Sequence, residues 1–217
     1  ANVREERAVA AHARGDLPTA LAHLDHARGL FDQLGVFEAE LVVNRCTVLL
    51  AAGLGRDALY EADAAVTTIE REHGSAARRA ELVYSSALAA TATADFGLAQ
   101  DRSAEAVRLF RRQQRPWWAA RAELALLLCR FGEDSDQAAG LLPAARRVTA
   151  RLDTMDFARA IDAHLLTGRI ALTAGRRDEA ARHLRTAANA RHRGQLRTRG
   201  VGWLAQATWA EAEQRWR

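Results

Sequence analysis

The chain has 217 residues and a net charge of +4, and its 31 basic side chains are all arginine. Ala, Leu and Arg dominate while Pro is held to three residues, a composition that favours helix nearly everywhere and gives almost no strand signal. No apolar run reaches membrane-spanning length, the opening Ala1-Asn2-Val3-Arg4-Glu5-Glu6 has no apolar signal core, and two isolated cysteines argue against a disulfide framework; together these predict reduced thiols and a cytoplasmic location.

Helix-length segments alternate with short turns of two kinds. Gly15-Asp16-Leu17-Pro18, Gly53-Leu54-Gly55, Asp95-Phe96-Gly97, Gly132-Glu133-Asp134-Ser135 and Gly175-Arg176-Arg177 read as turns inside helical hairpins. Gly35-Val36, His73-Gly74-Ser75, Gln114-Arg115-Pro116, Asp153-Thr154 and Arg193-Gly194 read as separators between hairpins. Gly ends one helix by accepting the left-handed conformation, and Asp16 or Ser135 caps the next by accepting backbone N–H bonds. The punctuation predicts about eleven helices in one helical-repeat domain, with units at 1–35, 36–74, 75–115, 116–154 and 155–194 and an unpaired helix at 195–217.

Five alanine pairs run through this pattern: Ala20/Ala27, Ala58/Ala65, Ala99/Ala106, Ala138/Ala145 and Ala180/Ala187. Each pair is seven residues apart, and the pairs recur at steps of 38, 41, 39 and 42. Seven residues is close to two helical turns, so each pair marks one stripe of the second helix of a hairpin. Small residues there admit a neighbouring backbone, and recurrence near forty residues is the signature of an array of hairpins.

The segment Leu165-Leu166-Thr167-Gly168-Arg169-Ile170-Ala171-Leu172-Thr173-Ala174-Gly175-Arg176-Arg177-Asp178-Glu179-Ala180 resembles a tetratricopeptide (TPR) unit: a small residue midway in the first helix, Gly at the turn, Ala in the second helix. Gly15-Asp16 with Ala20, Leu24 and Ala27 repeats its second half. The units exceed the usual length of about 34 residues, and the consensus Trp and Tyr are mostly replaced, so the pattern is a degenerate one. The runs 109–121 (LFRRQQRPWWAAR) and 189–194 (NARHRG) are similar to the TPR array of actinobacterial CHAT-domain (caspase-like) proteins. The repeat pattern with these resemblances implies an all-α fold, an α-solenoid of about five and a half TPR-like hairpins in a right-handed superhelix whose first helices line a binding groove. That family's catalytic His and Cys belong to a domain that would follow this chain, and no catalytic residue carries over.

Placing the units in register aligns Asn2, Glu40, Glu81, Glu123 and Asp162 near the start of successive first helices. With Arg169, the acids Glu40, Glu81, Glu123 and Asp162 are the candidate groove residues; acids in a first turn also complement the helix dipole. A second candidate is basic: residues 176–217 carry a net +6 against −2 for residues 1–175. Its core is Arg182, Arg185, Arg191, Arg193, Arg197 and Arg199, with His183 and His192 among them. Such asymmetry points to an acidic partner. Trp117 and Trp118 follow Arg111, Arg112 and Arg115, which suits either base stacking or a wedge between repeats, the wedge being favoured. Cys46 and Cys129 fall within helical apolar patterns as packed thiols, and His23 and His26 around Asp25 fall short of a zinc ligand set.

With no P-loop, dinucleotide fingerprint or nucleophile–base pairing, the expectation is a non-enzymatic interaction scaffold without cofactor or metal. It would bind a protein or peptide and control an attached effector of the CHAT protease kind. The alternatives are the sensor arm of a STAND-type transcriptional regulator, or weak nucleic-acid binding through 182–199; no membrane partner is expected. The chain does not open with Met and is expected to be a piece of a longer protein. Its last helix would then lack a mate and present Trp209 and Trp216 on an uncovered face, a route to self-association.

Overall fold

The computed structural model describes residues 2–72, 74–155, 157–192 and 196–215. Among them there are eleven α-helices and no strand: α1 Asn2–Ala13, α2 Leu17–Gln33, α3 Ala39–Ala51, α4 Gly55–Arg71, α5 Ala76–Ala92, α6 Phe96–Arg112, α7 Pro116–Glu133, α8 Ala138–Met155, α9 Phe157–Thr173, α10 Arg177–Ala188 and α11 Leu196–Arg215. Packing divides the chain into two compact units, residues 1–125 and 126–217.

Local chemistry sets the turns. Helices close on Gly15, Gly35, Gly53 and Gly175 at φ of 80°, 64°, 77° and 70°, and at two further turns Ala94 and Gln114 take the left-handed conformation instead. Asp16 caps α2 by accepting from the Thr19 N–H at 3.2 Å, and Asp95 caps α6 through Leu98 in the same way. At the turn before α8 the cap is Asp134, not Ser135: its carboxylate accepts from the Asp136 N–H at 3.0 Å and opens a 3-10 turn over Ser135–Gln137.

All ten stripe alanines are buried, none more than 4% exposed, and every pair lies on an even-numbered helix from α2 to α10. In the first unit each helix from α1 to α6 packs on its chain neighbours, and α3 also touches α1 and α5. One core joins Leu82, Val83 and Tyr84 of α5 to Val107 and Phe110 of α6 and to Ala119 and Ala122. Trp118 stacks on Phe110 at 5.6 Å and meets Tyr84 edge-on, while the Arg115 guanidinium sits 5.0 Å from the Phe110 ring centroid. The Trp–Arg run is therefore an internal aromatic wedge with its cation folded over it. Cys46 and Cys129 are fully buried; burial pushes the Cys46 thiol up to about 12, leaving no thiolate near neutral pH.

In the second unit α8, α9, α10 and α11 pack in sequence, and α9 also reaches α11. Gly168 in α9 admits Leu184 of α10: a Cβ there would lie 2.7 Å from the Leu184 Cγ. The expectation of an uncovered Trp209 is overturned. Trp209 is buried among Leu184, Ala188 and Ala205, under the Arg185 guanidinium at 5.3 Å. Val201, Ala205 and Trp209 pack in one core with Leu184, Ala187 and Ala188 of α10, whereas Trp203 and Leu204 face outward, each about half exposed. Trp216 lies outside the described residues. No described helix is long and apolar enough to cross a membrane.

Candidate functional site

A cleft of about 270 Å³ opens in the first unit where the end of α2 and the turn after it meet α3 and α4. Phe31, Val36 and Phe37 form one wall, Leu41 and Val42 of α3 the back, and Tyr60, Ala64 and Ala65 of α4 the other wall. Tyr60 is 78% exposed although its neighbours Ala58 and Ala62 are buried, so its ring stands at the mouth. Arg28, Asp32, Glu38, Glu61 and Thr68 supply the polar lining.

A four-residue ion-pair network anchors one side. Arg45, nearly buried on α3, grips Glu61 of α4 through Nε at 3.0 Å and Nη2 at 2.9 Å, and its Nη1 donates to Asp25 of α2. Arg28 of α2 donates to Glu61 Oε2 at 2.6 Å, the oxygen that Arg45 Nε also holds. Burial alone would raise the Glu61 carboxyl, but hydrogen bonds from Arg45 and Arg28 prevail and hold it below the usual carboxylate range. The network fixes three helices around the cleft and is neutral in sum, two guanidinium groups against two carboxylates. Asp32 and Glu38 remain as uncompensated charge: among the described residues neither has a cationic partner, and the Glu38 carboxylate accepts only the Glu40 N–H, at 3.1 Å. Burial, followed by the charges of Glu38 and Glu40, raises the Glu5 carboxyl, so carboxylates crowd this end of α3.

The four acids aligned in the sequence each take an arginine. Arg78 at the start of α5 bridges Glu40 on α3 and Glu81 on its own helix, the latter at 2.9 Å. Arg115 reaches Glu81 at 2.6 Å and Arg111 reaches Glu123 at 2.7 Å. In the second unit Arg197 of α11 pairs with Asp162 of α9 at 2.9 Å. Glu40, Glu81 and Asp162 thus form rungs between successive first helices within each unit. The exposed pairs at Glu40 and Asp162 contribute about 0–1 kcal/mol each, so they set register more than they stabilise. Arg169 is exposed and lies over the Phe131 ring at 5.7 Å.

The basic stretch is also divided. Arg185 covers Trp209, Arg197 is paired, and Arg191 donates to the Ala188 carbonyl at 2.9 Å with its guanidinium 6.0 Å from the Trp203 ring. Arg182 and Arg199 are exposed, and Arg193 lies outside the described residues.

One cluster in the second unit has no counterpart in the sequence reading. His164 of α9 and His183 of α10 meet Nδ1 to Nδ1 at 2.9 Å. His164 Nε2 donates to Asp153 of α8 at 3.0 Å, so a neutral His164 has a bare Nδ1 and His183 supplies the shared proton. Glu179 stands 4.0 Å from His183 Nε2 and is held by Arg146 of α8 through two bonds of 2.6 and 2.5 Å. Burial, then the adjacent His164 ring, keeps His183 below the usual imidazole range. The polar chain joins α8, α9 and α10; no group of three or more potential metal ligands converges among the described residues.

No protein-family model matches the chain, and no curated protein does. Among solved structures it is similar to a Rap protein complexed with competence and sporulation factor, with a TM-score of 0.72 and 15% identity. The match covers 95% of this chain and 54% of that one, so the chain spans about half the length of the structure it resembles. At this identity the likeness is one of fold, and with the neighbour-to-neighbour helix packing it makes this chain an all-α, TPR-like helical-repeat solenoid.

Proposed function

We propose that the chain is a non-enzymatic scaffold that binds a polypeptide partner and, within a longer protein, couples that binding to an attached effector. The observation that carries this reading is the open cleft between α2 and α4, on a fold shared with a protein solved in complex with competence and sporulation factor. A rigid helical array presents such a surface already formed, so a partner segment bears most of the ordering cost. The cleft, at about 270 Å³, is smaller than the roughly 300–1,000 Å³ of pockets that enclose drug-sized ligands, and fits one or two side chains of a partner better than a cofactor. The resemblance at 109–121 and 189–194 supports an effector of the caspase-like CHAT kind.

Peptide-display selection against the purified chain tests the scaffold reading. The expected result is a reproducible sequence motif whose synthetic form binds with micromolar or better affinity. Selection that returns no common motif through repeated rounds would refute it.

A second surface supports self-association: Trp203 and Leu204 project together from α11, with Arg191 over the Trp203 ring and His192 edge-on to it at 5.9 Å. Sedimentation of the parent and of Trp203→Gln/Leu204→Gln tests it. Association that weakens in the variant is expected, and equal association in both would reject this face.

A further inference from the structure

Building on the scaffold reading, we propose that the α2–α4 cleft receives a partner segment in which one large apolar side chain is flanked by arginine or lysine. Three observations fix that chemistry. The walls are apolar on both sides, with Phe31 and Phe37 on one and Tyr60 and Ala64 on the other, around a space with room for a bulky side chain. Tyr60 projects at the mouth, where a ring can cover an inserted anchor or lie beneath a cation.

The charge balance supplies the third. Arg28, Arg45, Glu61 and Asp25 neutralise one another, and Arg78 occupies Glu40. What remains at the rim is Asp32 and Glu38, with Glu5 close to the latter, and no described cation answers them. An acidic segment would bring like charges together, and a nucleic-acid backbone would meet the same repulsion. A cation beside the anchor instead gains two carboxylates that the fold leaves open.

Fluorescence anisotropy with three labelled synthetic peptides tests the proposal: a central Phe flanked by arginines, the same peptide with glutamates, and the arginine peptide with Ala for Phe. The arginine–Phe peptide is expected to bind at least about tenfold tighter than either control, a margin of about 1.4 kcal/mol. Tyr60→Ala should weaken it by a similar factor, and this side chain is exposed enough for the fold to tolerate its loss. Asp32→Arg/Glu38→Arg should reverse the preference towards the glutamate peptide, a readout that simple destabilisation cannot produce.

Equal binding of the arginine and glutamate peptides, or a preference that survives the charge reversal, would overturn the proposal. So would self-association of the unliganded chain that disappears in Tyr60→Ala, since the cleft would then be an interface between copies. A display motif that is acidic, or that binds away from the cleft, sinks this inference and leaves the scaffold reading standing. Failure to select any motif sinks both.

Discussion

Gly168 and Gly29 are both inside helices, and the structure assigns the same substitution opposite signs at the two positions. A Cβ on Gly168 would lie 2.7 Å from Leu184 Cγ, 2.8 Å from its Cδ2 and 3.3 Å from its backbone N, while Leu184 is fully buried and has nowhere to swing. Overpacking of this kind costs about 1–3 kcal/mol, against roughly 0.5–1 kcal/mol gained when Gly becomes Ala in a helix. Gly168→Ala is therefore expected to lose about 0.5–2 kcal/mol net. A Cβ on Gly29 meets nothing within 4 Å, so Gly29→Ala should gain the propensity alone. At about 2–4 °C per kcal/mol for a chain of this length, thermal denaturation followed by circular dichroism should show Gly168→Ala lower by about 1–8 °C and Gly29→Ala higher by about 1–4 °C. The contact is specific, so a double-mutant cycle sharpens the test. Leu184→Ala alone should cost about 2–5 kcal/mol, and less in the Gly168→Ala background, where the new methyl occupies part of the vacated space. Additive losses, or a Gly168→Ala chain that melts above the parent, would refute the close approach of α9 and α10.

Three other outcomes follow from the packing and the buried charges. Ala58→Phe and Ala138→Phe, which force a ring into fully buried stripe positions, should each lower stability by about 1–3 kcal/mol in denaturant titrations; unchanged midpoints would mean that the stripe is not a helix contact. His183 is held below its usual range by burial and by His164, so below about pH 6.5 the unfolded chain takes up a proton before the folded one does. Stability should therefore fall as pH drops below that value, and His183→Gln should flatten the fall in urea titrations at stepped pH. Glu61 has the opposite chemistry and the same sign of effect: held low by Arg45 and Arg28, it contributes stability above the usual carboxylate range that is lost in acid, and Arg45→Met should remove much of that loss.

The alanine stripes and the turns were legible in the sequence because both are local. A pair seven residues apart, or a Gly ahead of Asp16, is settled within one or two helical turns. Trp209 shows where that reasoning stops. The seven-residue spacing of Trp209 and Trp216 placed them on one face, but which face of α11 meets α10 depends on where Gly202 lets the helix approach Arg191, whose Cα would lie 2.8 Å from a Cβ at that position. The polar networks were illegible for a related reason. Arg45 meets Asp25 and Glu61 across 20 and 16 residues, and His164 meets Asp153 and His183 across 11 and 19. Those separations carry no period, and Asp25 stood out only as lying between two histidines that fall short of a zinc ligand set.

The aligned acids carry a further consequence for recognition. Read along the sequence, Glu40, Glu81, Glu123 and Asp162 make an acidic rail, and a basic partner would be drawn to it. In the folded units each has an arginine at hydrogen-bonding distance, drawn from a helix start or a helix end: Arg78, Arg115, Arg111 and Arg197. An all-arginine chain is suited to this, because a guanidinium can hold two carboxylates at once, as Arg78 does between Glu40 and Glu81. Three of these acids, Glu40, Glu81 and Asp162, are engaged in register between neighbouring hairpins, and the same pairing engages Arg197 of the basic stretch. Long-range charge then discriminates partners only where pairing fails. On the reading proposed above, the unpaired charge that matters in the first unit is at the rim of the α2–α4 cleft, where Asp32 and Glu38 flank an apolar space and recognition would combine an anchor with a cation.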